Sequence, residues 1–176
     1  MARLKKFVTW RRLERAYTRI SKFKKKSYIK SDPNPRVVTY SMGNPKKQFQ
    51  YRLDLISKDE LQIRDNAIES ARQTSNRLLE KEIGSIGYFF RVRVYPHHIL
   101  RENPLAAGAG ADRFSTGMSH SFGKPVGVAA RIKKKQKLMS VSVDKTHIPI
   151  AKKALVRAYQ KLPCSCLIEI NETKKN

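Results

Sequence analysis

The sequence predicts a single α+β domain in which two helices pack on a mixed or antiparallel sheet, with an extended basic arm at its N-terminus. Apolar residues recur at the helical period over Lys58–Ile83 and again after Pro149, and several shorter segments alternate apolar with polar residues as strands do. These elements are too few and too irregular for a doubly wound parallel sheet. At 176 residues, the chain is long enough for one packed core.

The first strands follow a turn at Asp32-Pro33-Asn34-Pro35, because each proline disfavours the helical conformation in the residue before it. β-branched residues in Arg36–Tyr40 predict a short strand, and the glycine and proline within Met42–Lys47 predict a loop. In Tyr51–Leu55 apolar residues alternate with charged ones, which predicts a half-buried strand.

A long helix is predicted from Lys58 to Ile83. Ser57 and Glu60 have the spacing of a capping box, and Gly84 supplies a C-terminal stop. Six acidic residues oppose five basic ones between positions 58 and 83, so this helix is nearly neutral and does not account for the charge of the chain. Its predicted apolar stripe consists of Leu61, Ile68, Ala71, Ser75, Leu78 and Leu79.

Tyr88–Tyr95 predicts a strand with one apolar and one polar face. Arg91 and Arg93 lie on the polar face, which meets either RNA or solvent. Val126–Ile132 and Leu138–Val143 predict two further strands, joined by a basic hairpin tip at Lys133–Lys137. A lysine run is often only a solvated loop, but on so basic a chain we predict phosphate contact.

Pro149 suits the first turn of a second helix, which is predicted to end before Pro163. A strand over Cys164–Ile170 then closes the domain and contains both cysteines of the chain. Two ligands do not make a zinc site, and positions this close on a strand rarely form a disulfide. We expect Cys164 and Cys166 to be reduced thiols in or near the core.

The charge of the chain predicts its kind of partner. The formal net charge is +24 at pH 7, and the first thirty residues hold twelve Lys and Arg against one acid, Glu14. Folding gains nothing from such self-repulsion, so a polyanion, foremost a nucleic acid, is the expected partner. No apolar run approaches the ~20 residues that span a bilayer, and no signal segment follows the basic N-terminus. We expect a cytoplasmic protein with no membrane partner.

We assign residues 1–31 to an extended RNA-binding arm, residues 32–172 to the domain and residues 173–176 to a short tail. The aromatic residues of the arm either stack on bases or tether the arm to the domain. The predicted RNA contacts in the arm, on the polar strand face and in the lysine run are Arg3, Lys5, Lys6, Arg11, Arg12, Arg15, Arg19, Lys22, Lys24, Lys25, Lys26, Arg91, Arg93, Lys133, Lys134 and Lys135.

Residues 97–127 form a predicted loop with no helical or strand period, and a loop of that length inside a compact domain needs an explanation. Five of the eight glycines fall in it. Small residues let a backbone approach another surface closely, which suits insertion into a narrow groove. The pair Gly108 and Gly110 lacks the other residues of a nucleotide-binding fingerprint.

His97, His98 and His120 with Asp112 form a conceivable acid–base set for RNA cleavage, since histidine titrates near neutrality. Adjacent histidines normally point in different directions, however, and nothing in the sequence sets their geometry. We therefore expect polar or stacking contacts at these positions, with no catalytic residue, no bound metal and no cofactor.

Short motifs in and around the loop carry a resemblance to a known family. They are Arg101-Glu102-Asn103-Pro104, Gly108-Ala109-Gly110-Ala111-Asp112-Arg113, Thr116-Gly117-Met118, Phe122-Gly123-Lys124 and Gly127-Val128-Ala129-Ala130-Arg131, flanked in the same order by Ala16-Tyr17-Thr18-Arg19, Tyr95-Pro96-His97-His98 and Pro163-Cys164-Ser165-Cys166. With these motifs the chain closely resembles the universal large-subunit ribosomal protein sixteen family, in its archaeal and eukaryotic branch, called ten-e. Because eukaryotic members carry a longer C-terminal part, the chain looks archaeal.

The resemblance implies an α/β-hammerhead-type fold that binds large-subunit ribosomal RNA near the site where transfer RNA is accommodated. It implies that Lys124 and Arg131 anchor the return of the loop, that neighbouring ribosomal proteins are partners, and that RNA performs the chemistry. No self-oligomer is expected. Other readings are an RNA-processing enzyme and a free RNA chaperone. The resemblance assigns the loop towards transfer RNA to Ala106, Ala107, Gly108, Ala109, Gly110, Ala111, Asp112, Arg113, Phe114, Ser115, Thr116, Gly117, Met118, Ser119 and His120.

Overall fold

A computed structural model of the protein describes residues 6–13, 23, 25, 29, 33–102 and 124–173. Its mixed helices and antiparallel strands confirm the predicted α+β class. In chain order the elements are α1 (Phe7–Trp10), β1 (Ser41–Gly43), β2 (Tyr51–Ser57), β3 (Leu61–Arg64), α2 (Asp65–Ile83), β4 (Tyr88–Val92), β5 (His98–Glu102), β6 (Lys124–Ile132), β7 (Lys137–Val143), α3 (Ile148–Tyr159) and β8 (Cys166–Glu172). The arm, predicted to be extended, thus contains one helical turn, α1.

The strands form two antiparallel sheets. The five-stranded sheet has the order β1-β4-β7-β2-β8, and the three-stranded sheet has the order β3-β6-β5. Helices α2 and α3 pack against each other and against one face of the five-stranded sheet, where Ile68 and Leu155 join Leu53, Phe90 and Val141 in the main core. The three-stranded sheet adds one of its own faces to that core. Each sheet therefore has an outer face on the side away from the core.

The long helix begins seven residues later than predicted, at Asp65. Residues Leu61 and Ile63 instead form β3, which pairs with Ile132 and Ala130 of β6 and buries both side chains. Local spacing predicted a helix, but burial through long-range pairing decided this segment. The Ser57 hydroxyl donates to the Asp59 carbonyl at 2.8 Å, so the predicted capping box is a turn.

The rest of the α2 prediction is confirmed. Five of the six predicted stripe residues are buried on the helix, and the sixth, Leu61, is buried on β3. Gly84 follows the helix with a φ of +80°, and its amide donates to the Glu80 carbonyl at 3.1 Å. Only glycine adopts such a backbone conformation at little steric cost, which is why the helix ends there.

The first strand lies after the predicted one. Arg36–Tyr40 is wrong as a strand, because the Arg36 amide donates to the Asp65 carboxylate at 3.0 Å instead of to a ladder partner. Ladder pairing begins at Ser41 and runs to Gly43 against β4, so the strand overlaps the start of the predicted loop Met42–Lys47. Gly43 has a φ of +84°, and a Cβ there would lie 2.2 Å from the Tyr88 carbonyl oxygen. Only glycine therefore fits this close approach.

The predicted hairpin between β6 and β7 is also wrong. Strand β6 pairs with β3 and β5, whereas β7 pairs with β2 and β4, so the lysine-rich segment crosses between the two sheets. The crossing is held to β2, since the Lys135 amide donates to the Ser57 carbonyl at 2.9 Å and the Ser57 amide donates to the Gln136 carbonyl at 3.0 Å. We call Lys133–Gln136 the crossing turn.

The predicted loop 97–127 contains a strand that its sequence pattern did not reveal. Strand β5 pairs with β6, and Glu102 lies opposite Lys124 at the end of the ladder. Ile99 is buried against Ile29 and Val128, while the next residue, Leu100, is buried on the opposite face. A strand buried on both faces has no alternation of apolar and polar residues, so periodicity missed it. Residues 103–123 lie outside the described part of the chain.

The C-terminal half otherwise follows the prediction. Pro149 lies in the first turn of α3, and the buried residues of that helix include Ala151, Ala154 and Leu155. The closing strand runs over Cys166–Glu172, two residues later than predicted. Both cysteines are free, and the sulfur of the buried Cys164 lies 3.5 Å from that of the half-buried Cys166, so the pair lies at the core as predicted.

Candidate nucleic-acid interface

The outer face of the five-stranded sheet is polar and carries several cations. Cross-strand partners share a face, so the registers place residues from all five strands in two neighbouring rows. One row is Ser41, Arg91, Ser140, Asp54 and Glu169, and the next is Gly43, Phe89, Ser142, Arg52 and Asn171. Small serines occupy the middle of both rows, which leaves room above them for long side chains from the neighbouring strands.

Asp54 organises this face. Its side chain is fully buried, and its Oδ2 accepts hydrogen bonds from Lys137 Nζ at 2.6 Å and from Arg52 Nε at 3.2 Å. Burial by itself raises the pKa of the carboxyl, but hydrogen bonds from Lys137 and Ser140 and the nearby Arg52 charge outweigh it, and the pKa lies below its ordinary value. The carboxylate therefore stays ionised and holds two cations in place above the sheet.

Two of the predicted RNA contacts lie on the same face. Arg91 and Arg93 are both exposed, as the alternation in Tyr88–Tyr95 predicted. Arg93 Nε donates to the Ser140 hydroxyl oxygen at 2.8 Å, and Ser140 lies opposite Asp54 in the ladder. We call Arg91, Arg93, Arg52 and Lys137 the sheet cations. Arg52 and Lys137 contact the Asp54 carboxylate, whereas Arg93 bonds to Ser140 and Arg91 lies opposite Ser140 in the ladder. About two-fifths of the Arg52 and Lys137 side chains remains exposed to solvent.

Sequence reasoning missed Arg52 and Lys137. Arg52 and Asp54 were visible as the polar positions of an alternating strand, but alternation alone does not distinguish a solvated face from a binding face. Lys137 was assigned to a hairpin tip. It meets Asp54, 83 positions away in the sequence, only because β7 lies beside β2 in the sheet.

The crossing turn leads directly into Lys137 and adds three exposed lysines, Lys133, Lys134 and Lys135. Gln136 closes the turn, since its Oε1 accepts from the Lys133 amide at 2.8 Å. Lys135 has a φ of +63°, in the left-handed region that a lysine adopts only at a steric cost. The predicted lysine run is therefore an ordered turn at the edge of the outer face.

The remaining predicted cations lie elsewhere. Lys6, Arg11, Arg12 and Lys25 are exposed in the described parts of the arm. Lys124 is exposed at the start of β6. Outside the described residues lie Arg3, Lys5, Arg15, Arg19, Lys22, Lys24 and Lys26, together with the whole assigned loop from Ala106 to His120.

Arg131 lies on the outer face of the three-stranded sheet and is half-buried, opposite Gln62 on β3. Its Nε is buried, with no hydrogen-bond partner among the residues described. The arm covers this part of the sheet, because the carbonyls of Trp10 and Arg12 accept hydrogen bonds from Gln62. Phe7 packs against the main core, so for this aromatic the tethering role is the one that the structure supports.

Helix α2 presents no comparable set of cations. Arg72 is paired with Glu69, with Nε to Oε2 at 2.8 Å and Nη2 to Oε1 at 2.5 Å, and the Glu69 carboxylate also accepts from Gln73 at 2.8 Å. The near-neutrality predicted for the long helix holds for α2. The outer face of the five-stranded sheet therefore offers more cations to phosphate than α2 does.

The conceivable acid–base set does not form from the histidines that the structure describes. His97 is exposed, and its Nδ1 lies 3.1 Å from the Tyr95 carbonyl. His98 is buried on the outer face of the three-stranded sheet, where burial, with the charge of Arg131 next, lowers its pKa to about 4. The described ranges contain no group of three or more His, Cys, Asp or Glu side chains arranged to hold a metal ion.

The fold and its cations fit the class of basic α+β proteins that bind a nucleic-acid backbone. None of the helices in the described ranges combines the length and the apolar character that crossing a bilayer requires. Comparison with protein families makes the class specific: the family model described as ribosomal protein L16p/L10e matches residues 15–169.

Curated relatives agree with that match. A protein of Methanococcus maripaludis named large ribosomal subunit protein uL16 is 47% identical over 161 residues, covering 92% of this chain and 90% of the relative. Proteins of the same name from Archaeoglobus fulgidus and Methanococcus aeolicus are 47% and 45% identical over 163 residues, with 90% and 94% of their own lengths covered. The chain belongs to the ribosomal protein L16p/L10e family and is of its archaeal type.

Proposed function

We propose that this protein is a structural constituent of the large ribosomal subunit and binds large-subunit ribosomal RNA through its sheet cations, its crossing turn and its basic N-terminal arm. The observation that carries the proposal is the fully buried Asp54 carboxylate, which holds Lys137 and Arg52 beside Arg91 and Arg93. A set of cations ordered before binding loses less side-chain entropy when it meets phosphates. Membership of a ribosomal protein family supports the subunit as the place where those phosphates are met.

The chemistry of the sheet cations suits phosphate rather than bases. Guanidinium groups bind phosphate oxygens in a bidentate manner, and a lysine ammonium adds a compact charge. Such contacts supply affinity that falls with salt and carry no sequence information by themselves. We therefore infer that this face sets how firmly the protein is held on folded RNA, while its orientation depends on the segments on either side of the domain.

For residues 106–120 we propose the role that the family resemblance implies, contact with transfer RNA near the peptidyl transferase centre. The protein would shape the groove that positions transfer RNA, and RNA would form the peptide bond. Strands β5 and β6, which flank this segment in the sequence, form one ladder that ends at Glu102 and Lys124, so the described residues on its two sides lie next to each other. The packing of two helices on one face of a five-stranded sheet supports the α/β-hammerhead description of the domain.

Sedimentation tests the ribosomal assignment. A tagged copy of the full chain, expressed in an archaeal host, is followed through a sucrose gradient at low salt. We expect it to migrate with the large subunit in a one-to-one ratio with neighbouring ribosomal proteins, and to leave the particle as the salt concentration rises. A protein that stays at the top of the gradient at low salt, or that spreads over many RNAs without a fixed ratio, would contradict the proposal and favour a free RNA chaperone.

A further inference from the structure

Gln62 occupies an unusual position for a polar side chain. It lies on β3, on the outer face of the three-stranded sheet, and only 3% of it is exposed. A buried amide needs partners for both of its ends, because leaving a donor or an acceptor unpaired is costly. Gln62 has partners on two different elements, the N-terminal arm and β5.

The hydrogen bonds of Gln62 determine how the amide is oriented. Its Nε2 donates to the Trp10 carbonyl and to the Arg12 carbonyl, the latter at 3.1 Å. Since backbone carbonyls only accept, the NH₂ group must face the arm, and Oε1 must face His98. His98 Nδ1 lies 2.7 Å from Oε1 and is therefore the donor, which requires the tautomer protonated at Nδ1.

The two partners of Gln62 belong to segments with different predicted roles. Trp10 and Arg12 lie where the basic arm reaches the domain, and Arg11 and Arg12 are exposed there. His98 begins β5, the strand that leads into residues 103–123. The chain of hydrogen bonds from the arm carbonyls through Gln62 to His98 thus spans the sheet, with Arg131 of β6 opposite Gln62 in the ladder.

We propose that Gln62 and His98 form a positioning pair that fixes the basic arm to the strand from which residues 103–123 leave, so that the placement of the arm and the direction of that strand are coupled. RNA that binds the arm would then also orient the β5–β6 ladder. This consequence for translation rests on the proposed function. The coupling itself does not, because it is a property of the free protein.

The single tryptophan of the chain gives a direct measurement. Trp10 is half-buried, and its Nε1 is buried, so its emission and its quenching by acrylamide report whether the arm is docked. Gln62→Glu keeps the size of the side chain and the acceptor for His98 but removes the donors to both arm carbonyls. Loss of the two hydrogen bonds should shift arm docking by about tenfold or more, with a red-shifted emission and a larger quenching constant.

The matched control is Gln48→Glu, which makes the same chemical change at an exposed residue of the domain. It should leave Trp10 quenching at the value of the unsubstituted protein. Thermal unfolding by circular dichroism, recorded for every variant, separates loss of docking from loss of the fold.

A second pair of variants tests the coupling from the β5 side. His98→Phe keeps a ring but removes the Nδ1 donor, whereas His98→Asn places an amide donor near the same point. We expect His98→Phe to raise the quenching of Trp10, even though His98 is on β5 and only Gln62 bonds to the arm. We expect the quenching in His98→Asn to match that of the unsubstituted protein. The rate of amide hydrogen exchange in β5 should rise in Gln62→Glu, because release of the arm should also loosen the strand that carries His98.

Equal Trp10 quenching in Gln62→Glu and Gln48→Glu, with both proteins folded, would overturn the proposal. If Gln62→Glu fails to fold, the histidine variants decide: identical quenching in His98→Phe and His98→Asn would overturn it as well. If the protein does not sediment with the large subunit, the proposed function is wrong, but these fluorescence results are unaffected. Failure of the proposed function and failure of the coupling are therefore distinguishable.

Discussion

The outer faces of the two sheets use buried polar side chains in different ways. On the five-stranded sheet a buried carboxylate, Asp54, holds cations that stay partly exposed. On the three-stranded sheet a buried neutral pair, Gln62 and His98, is covered by the arm. The comparison shows two uses of a buried polar group. A buried carboxylate positions cations on the face that we propose binds a polyanion, whereas buried uncharged side chains hold the arm against the domain by hydrogen bonds.

Energetics account for this division. A buried charge needs a counter-charge and hydrogen bonds, and Asp54 has both through Lys137 and Arg52. Cations held in this way keep their outward surface free for phosphate. A buried amide needs only complementary donors and acceptors, so Gln62 joins the arm to β5 without itself adding a charge to the face that already carries the half-buried Arg131.

The largest effect is expected for Asp54→Ala. The substitution removes the acceptor of the charge-assisted hydrogen bonds from Lys137 and Arg52 and leaves both cations without their counter-charge. The free energy of unfolding should therefore fall by about 3 kcal/mol. Urea denaturation measures it. The control is Asp144→Ala, which breaks the exposed pair with Lys47 and should cost less than about 1 kcal/mol. Equal losses in the two variants would mean that Asp54 organises nothing beyond a surface ion pair.

The second prediction concerns RNA affinity rather than stability. Replacing both Arg91 and Arg93 by serine should lower the magnitude of the slope of log K against log salt by about 1.5, since each phosphate contact contributes roughly 0.7 to 0.9. Stability should fall by no more than the loss of the Arg93–Ser140 hydrogen bond, about 1 kcal/mol, because both arginines are otherwise exposed. Filter binding to large-subunit ribosomal RNA at several salt concentrations measures the slope. The control replaces the exposed Arg77 and Lys81 of α2, and a drop as large in that variant would place the interface on the helices as well.

The third prediction uses pH to separate the two faces. The pKa of buried His98 is lowered to about 4, chiefly by burial and next by the charges of Arg131, His97 and Arg101. The unfolded chain therefore binds this proton first, and the folded protein loses stability as the pH falls from about 6.5 to about 4. The pKa of the Asp54 carboxyl is also lowered, so its contribution is lost only at more acidic pH.

Unfolding free energies at pH 7 and pH 4.5 test the assignment of this window. His98→Asn retains a donor for Gln62 but has no titrating group, so its stability should fall less than that of the unsubstituted protein over the same range. An equal fall in both proteins would assign the acid sensitivity to groups other than His98.

The smallest effect is expected at the crossing turn. Lys135→Gly relieves the left-handed backbone of Lys135, which should raise the free energy of unfolding by up to about 1 kcal/mol. The same substitution removes one cation, so the salt slope of RNA binding should fall by about 1 if Lys135 meets a phosphate. Lys134→Gly is the control, since Lys134 has no positive φ and glycine should not stabilise it. A stabilised Lys134→Gly would show that backbone strain at position 135 is not the cause.

Much of the fold was predictable because helices and half-buried strands carry a local period. The buried stripe of α2, its end at Gly84 and the polar positions Arg91 and Arg93 all followed from spacing. Spacing missed β1, which overlaps a predicted loop, and also β3 and β5. Strand β5 is buried on both faces, and β3 belongs to a segment that also fits a helix. The last two strands both pair with β6. Their conformation depends on pairing with β6, which no local window contains.

The candidate site was predictable in part for the same reason. The sequence showed which segments are basic and which strand has a cationic face, but it did not show that Asp54 gathers the sheet cations. It also did not distinguish Gln62 from the other polar residues of the predicted helix Lys58–Ile83. Both roles arise from contacts between residues far apart in the chain, such as Gln62 with Arg12 and Asp54 with Lys137.

The sequence by itself determined the kind of partner, the family, and the buried stripe and C-terminal end of α2, because net charge, short motifs and apolar period are properties of local sequence. Only the tertiary structure decided that β6 and β7 belong to different sheets, that a lysine run crosses between them, and that the arm is held to the strand before residues 103–123. The physical reason is that strand pairing and buried hydrogen bonds gain their free energy from long-range burial, which is settled only when the whole core is packed.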